Sequence, residues 1–587
     1  MEGIGPDDPR RPGPGSRPSA SSSAGRRSAE VGEALVSFLG ALPLAAGLGW
    51  LLGVPLSGLA LLPAAALASW AAPTGRRVAT LVPAALLVAG AVALSVAFLD
   101  VSFDGLLYHL PAVRALADGW NPVLDGPLDR GRSGEIFANL YPKGAWASGA
   151  VLASTTGKME AAKALSLVWP LSVFLLAFGT LRPALESRLR AAALAAIVAL
   201  NPVALLQMFA TTADGAVACA VTASLLLAVR LARSWSRETA AAFALGLVAL
   251  CNVKLSGAAF AFFTGGAALG LAAFQGRRLV LRTAALLGAA AVAGILVAGW
   301  NPYVTNALRY GHPAHPVLGA HPIDLERGQT AADFHTRGRW AKLGASLFAE
   351  CSNGLTRPRP RVPFLFSPAE LRAFASWDVR FGGFGPLFSG ALLVSLPLLA
   401  VLLRRGAPHR APALVLLAAV AGMVAINPEA WWARLAPQTW LVPAGTALLG
   451  SLSTSRNVRR IASGLLVLLL ANLALVSVPY LFGQAVFTAS ARSQLAGLRE
   501  AARREGPLLV RLNSFEGSRW RLEESRIPFR EVESFEGRAA VVLAFSQAEV
   551  ASPSGSPLPE AGTAARIAAR ALAAFGVNGS AIGLGPP

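Results

Sequence analysis

Between Val101 and Val123 the sequence VSFDGLLYHLPAVRALADGWNPV places a carboxylate (Asp104), a phenol (Tyr108) and an imidazole (His109) just past an apolar run that ends at Leu99. A carboxylate held near a hydroxyl can take its proton, and a phenol or imidazole beside it can hydrogen-bond a polar substrate. The same pattern has a structural use. With Ser102 as a helix cap, Asp104 falls in the first turn, where the macrodipole favours a carboxylate. On that helix Asp104 and Tyr108 lie one turn apart, while Leu106, Leu110, Val113 and Ala117 line the other side, a face suited to rest on a membrane surface. Pro111 is expected to kink the helix and Gly119 to end it.

Four other stretches carry related side chains. ANLYPKGAW holds Tyr141 and Lys143, and TTADGAV leaves Asp214 at the mouth of an apolar run. GWNPYVTNALRYGHPAHPVLG holds Asn301, Tyr303, Arg309, His312 and His315. NPEAWWARLAPQTW holds Glu429, Arg434 and Gln438. Lys143, Lys254 and Arg434 are cations suited to an anion, Arg as a bidentate fork and Lys as a point charge. Each also fits an interfacial anchor that snorkels, as the tyrosines fit interfacial anchors and Asp214 a helix N-cap.

The elements that position these groups follow from composition. Of 587 residues, 54% are hydrophobic and 14% charged, and the mean hydropathy is +0.53, so apolar runs recur at lengths that cross a hydrocarbon core. Candidate spans fall at 34–53, 57–72, 78–99, 163–181, 191–210, 215–233, 239–252, 255–274, 279–300, 386–403, 411–427, 438–452 and 461–483. The fold expected is an all-α polytopic membrane bundle of about 11–13 transmembrane helices. The net charge of +20 comes largely from Arg in short turns. Arg76 and Arg77; Arg182, Arg188 and Arg190; Arg233 and Arg237; Arg277 and Arg278; Arg404, Arg405 and Arg410; and Arg456, Arg459 and Arg460 all fall on one side. Lys254 and Arg434 are the exceptions on the other. By the positive-inside rule the N-terminus is cytoplasmic, and the long loops 100–162 and 301–385 and the C-terminus are extracytoplasmic.

Residues 1–33, rich in Pro, Gly, Ser and Arg, read as a disordered cytoplasmic tail rather than a cleaved signal peptide. Residues 34–484 form the membrane domain, and 485–587 a small soluble α/β appendage. In the appendage PLLVRL and AAVVLAF read as strands and AARIAARALAAFG as a helix closed by Gly576.

The Asp-x-x-x-Tyr-His helix, the Tyr-Pro-Lys, the Asn-Pro-Tyr with its Gly-His-Pro and the Trp-Trp-Ala-Arg turn, in this order and on one side, resemble bacterial integral-membrane glycosyltransferases of the GT-C superfamily. The chain is similar in this to protein O-mannosyltransferases and aminoarabinose transferases, over roughly residues 34–483. The resemblance implies a polyprenyl-phosphate sugar donor, a glycan, lipid or protein acceptor, and an acidic residue of the first outer loop at the reacting centre. Asp104 is then the expected base of an inverting displacement, with Asp100 as the fallback. Tyr108, His109, Tyr141, Lys143, Asp214, Lys254, Asn301, Tyr303, His312, Arg434 and Gln438 are the expected substrate-binding residues.

No cofactor is expected, and a divalent ion is left open. His312, His315 and His321 lie among prolines without the spacing of a helical zinc pair, and no Gly-rich phosphate loop supports a nucleotide-sugar. Cys219, Cys251 and Cys351 are too scattered for a disulfide framework or a zinc site. Without a basic stripe interleaved with aromatics, nucleic acid is not an expected partner; membrane lipids are. Two rival readings share the membrane plan. One is a polymerase or ligase acting on lipid-linked glycans. The other is a secondary transporter, disfavoured by spans nearly free of interior charge.

Overall fold

The apolar runs fold as helices in a computed structural model that describes residues 20–560 apart from 130, 132–133, 324–328, 355–356 and 405–408. Among the described residues seven helices are long and apolar enough to cross a membrane: Ser23–Leu51, Thr74–Ala97, Met159–Ala184, Asp214–Arg233, Leu255–Ala273, Arg277–Val297 and Arg456–Glu505. Gly58–Trp70, Phe388–Leu402 and Arg410–Ile426 are apolar but shorter. The expected span 191–210 is broken. Helix Arg188–Ala199 stops, Asn201 turns the chain with its Oδ1 accepting from the Val203 amide at 2.9 Å, and Pro202 starts the short helix Pro202–Leu206.

Two helices at the periphery, Thr74–Ala97 and Arg277–Val297, bury only 22% and 17% of their most apolar stretch. Their outward Val82, Leu86, Leu281 and Val292 therefore need an apolar medium rather than water. The Arg-bearing turns gather at one end of the bundle: Arg237 Nη2 donates to Thr74 Oγ1 at 3.1 Å, and Arg190 Nη2 to Ser451 and Ser463 at 3.2 and 3.0 Å.

The first helix corrects the reading of residues 1–33 as one disordered tail. It runs Ala20–Leu51, and its polar residues are paired: Glu33 accepts from Arg230 Nε at 3.0 Å and Thr239 Oγ1 at 2.7 Å, and Glu30 from Arg76 at 3.1 Å. Residues 1–19 lie outside the described residues.

The long loop 100–162 is not mere connection. It contains the buried helix Gly144–Thr156, and the helix opening at Ser102 packs Leu110, Val113 and Leu116 against it. That apolar face is covered by protein, which corrects its reading as a membrane-surface face.

The boundary expected near 484 falls inside one continuous helix, Arg456–Glu505, of 50 residues. This helix leads directly into a four-stranded sheet of order β2-β1-β4-β3, with β1 Leu508–Arg511, β2 Phe529–Glu531, β3 Ala540–Val542 and β4 Glu549–Ala551. β1 and β2 are parallel, and the other pairs are antiparallel. Helix Gly517–Glu524 crosses between β1 and β2 and rests on Leu106, where a Cβ at Gly517 would come within 2.9 Å of the Leu106 backbone. The segment expected to form a helix ending at Gly576 lies outside the described residues.

Candidate functional site

At the end of the bundle away from the Arg-rich turns, four connections bring charged groups together. Asp104 follows Ser102, whose Oγ accepts from the Gly105 amide at 3.1 Å and so opens the helix as a cap. From Gly105 to His109 that helix widens to a π turn before Pro111. Asp214 is the first residue of helix Asp214–Arg233. Lys254 is the one extended residue between helices Arg237–Val253 and Leu255–Ala273, which puts it at the tip of a tight helical hairpin. Arg434 stands on the turn between Arg410–Ile426 and Leu441–Ser451. Asn427 staples that turn, donating from Nδ2 to the Leu435 carbonyl at 2.7 Å and accepting from the Glu429 amide at 2.9 Å.

The guanidinium of Arg434 is the hub. Nη2 donates to Asp104 Oδ2 at 2.7 Å, and Nη1 lies 3.6 Å from Asp378 Oδ2. Nε is 2.9 Å from Asp214 Oδ2, but its N–H is not aligned on that oxygen, so this third contact is one of charge rather than a hydrogen bond. Trp377 and Trp432 face the guanidinium with ring centres 4.9 and 5.0 Å away. Lys254 Nζ donates to Asp214 Oδ1 at 2.5 Å, and Gln207 Nε2 donates to Oδ2 at 3.2 Å. Asp214 thus serves an ion network, not a helix cap; the residue before it, Ala213, occupies the cap position. The side chains of Asp214, Arg434, Asp104 and Lys254 are 2%, 13%, 19% and 20% exposed, so the network opens outward through Asp104 and Lys254.

Aromatic groups wall the cleft beside this network. Tyr108 packs at a tilt against His109 and Phe137, with ring centres 4.2 and 4.5 Å apart, and Tyr141 and Trp146 complete the lining. Trp146 Nε1 donates to His109 Nδ1 at 2.6 Å, so the imidazole accepts there. Burial pushes the His109 pKa down to about 4 against the pull of Asp104 and Asp214, which keeps the ring neutral at pH 7. Burial, with Asp104 next, holds the Tyr108 phenol well above its usual range. Burial opposes charge on Arg434, yet Asp214, Asp104 and Asp378 outweigh it and hold the guanidinium protonated. Burial raises Asp378 above the usual carboxylate range, with Arg434 pulling the other way.

Of the residues singled out in the sequence, Asp104, Tyr108, His109, Tyr141, Asp214, Lys254 and Arg434 meet here. Lys143 does not. It is fully buried, its ammonium donates to the Asn139 and Tyr141 carbonyls at 3.2 and 2.5 Å, and burial lowers its pKa well below the usual value. Asn301 donates to the Pro122 carbonyl at 3.0 Å, and the Tyr303 hydroxyl to the Cys251 carbonyl, both as struts of the chain. His312 Nδ1 accepts from the Ala314 amide at 3.1 Å within its own turn. Gln438 is buried, and neither of its amide atoms has a partner among the described residues. Glu429 turns to Lys342, accepting at 2.6 and 2.8 Å. Asp378 was missed. It sits in SWDVR, and Trp432 Nε1 donates to its Oδ1 at 3.0 Å.

Asp100, the fallback base, has no capacity to spare. Its Oδ1 accepts from Ser102 N and Oγ at 2.8 and 2.6 Å, and its Oδ2 from Thr211 N and Oγ1 at 2.8 and 2.5 Å. Its carbonyl accepts from Arg521 Nη2 of the C-terminal domain at 2.6 Å, and the same nitrogen lies 3.4 Å from Glu160, which is paired with the buried Lys163. Asp100 therefore ties the C-terminal domain to the loop that carries Asp104.

Among the described residues no cluster of three or more His, Cys, Asp or Glu side chains is arranged to hold a metal ion. Cys219, Cys251 and Cys351 are buried free thiols. Comparison with protein families, curated proteins and solved structures finds no match to this chain.

Proposed function

We propose that this chain is a polytopic membrane enzyme of GT-C type, transferring a sugar from a polyprenyl-phosphate donor to a hydroxyl-bearing acceptor at the outer face of the cytoplasmic membrane. The observation that carries the proposal is the meeting of Asp104 with Arg434, 330 positions apart in sequence, at 2.7 Å beside Lys254 and an aromatic cleft. In the proposed displacement the acceptor oxygen attacks the anomeric carbon. The bond from that carbon to the phosphate oxygen breaks, and its electron pair leaves with the lipid phosphate. The hydroxyl proton passes to Asp104 Oδ1, which has no protein donor among the described residues. Asp214 is less suited to this task, because both its oxygens already face cations.

Arg434 and Lys254 would stabilise the leaving phosphate. In the observed arrangement three carboxylates face these two cations, so an incoming phosphate must take the place of a carboxylate at one of them. Asp104, the more exposed partner of Arg434, is the one that yields, and a carboxylate released from its ion pair is the better base.

The test uses membranes of cells lacking the chain, supplied with a labelled polyprenyl-phosphate hexose or pentose. Re-expressed wild type restores transfer, and Asp104→Asn lowers it by about 10²–10⁴-fold while the chain stays folded, the lost ion pair with Arg434 lowering the melting temperature by no more than about 3 °C. Undiminished turnover in Asp104→Asn removes that carboxylate from the mechanism. Consumption of a lipid-diphosphate oligosaccharide instead of the monophosphate sugar replaces this reading with that of a polymerase or ligase.

A further inference from the structure

We infer that the Arg-rich half of the bundle binds one chain of an anionic phospholipid in a cavity separate from the cleft around Arg434. Helices Asp214–Arg233, Leu255–Ala273, Arg410–Ile426 and Leu441–Ser451 leave between them a cavity of about 390 Å³, in the size range of small-molecule sites. Its wall is apolar, with Leu226, Val229, Leu416, Val442 and Leu449 among its lining. The two wall threonines on these helices spend their hydroxyls locally: Thr222 Oγ1 donates to the Ala218 carbonyl at 2.7 Å and Thr446 Oγ1 to the Val442 carbonyl at 2.8 Å. Such a wall gives water few partners, so the cavity favours an apolar occupant.

Length and charge select the occupant. Along helix Asp214–Arg233 the lining runs from Thr222 to Arg233, eleven steps of 1.5 Å, or about 16 Å. This is about half the ~30 Å hydrocarbon thickness of a bilayer, the depth of one leaflet. At the end of that path stand Arg233, Gln275 and His409. Arg233 is exposed and has no carboxylate partner among the described residues, and two other helices of the bundle begin with Arg277 and Arg410. A chain of one leaflet's length below a phosphate at Arg233 is the geometry of an anionic phospholipid, and basic groups at this depth attract such headgroups. The inference rests on the membrane-embedded part of the proposed function and is independent of glycosyl transfer.

The test is native mass spectrometry of the full chain in a neutral detergent, titrated with phosphatidylglycerol and with phosphatidylcholine of the same acyl chains. Wild type is expected to hold one phosphatidylglycerol at least ten-fold more tightly than phosphatidylcholine. Gly445 lines the cavity, and a Cβ there would meet nothing within 4 Å. Gly445→Leu therefore fills the cavity without a clash and should weaken both lipids at least ten-fold at an unchanged melting temperature. Val442→Phe, one turn away, should do the same. Arg233→Gln should keep chain binding and lose the preference for phosphatidylglycerol.

Wild-type affinity in both filled variants, or equal binding of the two lipids by wild type, overturns the inference. A wild-type chain that is monodisperse without detergent and carries no lipid overturns the membrane reading as well.

Discussion

Replacing Arg434 by lysine keeps the positive charge and removes the planar fork, so it isolates what the geometry of this residue contributes. The guanidinium meets Asp104, Asp214 and Asp378 through three different nitrogens at 2.7, 2.9 and 3.6 Å, flanked by two indole rings. One ammonium cannot occupy all three positions. Losing one charge-assisted contact costs about 1.5–3 kcal/mol, and the weaker ring contact about 0.5–1 kcal/mol, so Arg434→Lys should lose about 2–4 kcal/mol. Arg434→Leu should lose about 3–5 kcal/mol; Asp214 retains Lys254, but Asp104 and Asp378 lose their ion pairs.

With an unfolding entropy of roughly 2.1 cal/mol/K per residue, a loss of about 3 kcal/mol lowers the melting temperature of this chain by about 2–3 °C. Adding Asp378→Asn to Arg434→Leu removes the more buried of the two stranded carboxylates and should restore about 1 kcal/mol, within the usual range for contacting residues. The assay is thermal unfolding in neutral detergent, with tryptophan fluorescence as a second probe because Trp377 and Trp432 report locally. Arg434→Lys melting with wild type, together with a double variant no more stable than Arg434→Leu, would refute the picture of one cation balancing three acids.

Two further outcomes follow from single residues. Burial raises the Asp378 pKa in the folded chain above its unfolded value. The protonated form is therefore favoured by folding, and stability falls as pH rises from the ordinary carboxylate value through the raised one. Asp378→Asn should consequently melt above wild type at pH 7, with the difference closing in acid; a variant less stable at every pH contradicts this. Gly385 has φ +109°, and a Cβ there would fall 2.4 Å from the side chain of Asn472, which bonds the Phe384 carbonyl and the Leu387 amide, each at 2.8 Å. Gly385→Ala should cost about 2–5 kcal/mol through backbone strain and crowding, and denaturant unfolding at wild-type midpoint would show that the turn relaxes freely.

The membrane helices are legible in the sequence because long apolar runs have few alternatives, and their ends carry Arg. Helix Arg456–Glu505 was read as two units because its pattern changes in mid-course. Up to about Gly483 it is apolar almost all round, and beyond it the buried side mixes apolar Phe487, Ala491, Leu495 and Leu498 with polar Gln484, Thr488, Ser490 and Gln494. A change of surroundings along one helix looks, in sequence, like a boundary. Helix Gly144–Thr156 was passed over because it is short and built largely of Gly, Ala, Ser and Thr.

Within the cleft, Asp104, Asp214, Lys254 and Arg434 stood out because each is a charge where neighbouring residues carry none. Asp378 did not, since its loop already holds Arg372, Arg380 and Glu370. The fates of Lys143 and Tyr303 were decided by carbonyl groups at Asn139, Tyr141 and Cys251. No spacing rule reveals where such carbonyls will point.

The unbroken run from Arg456 to Glu505 makes the C-terminal sheet the free end of a lever. From Gln484 to Glu505 the arm extends about 32 Å, so a tilt of about 5° at its root swings the tip by about 3 Å. Arg492 pins the arm by donating to the Ala97 carbonyl at 2.8 Å, and Arg521 grips the Asp100 carbonyl from the far side. A displacement of the sheet is thus transmitted through Arg521 to the stretch of chain leading into Asp104.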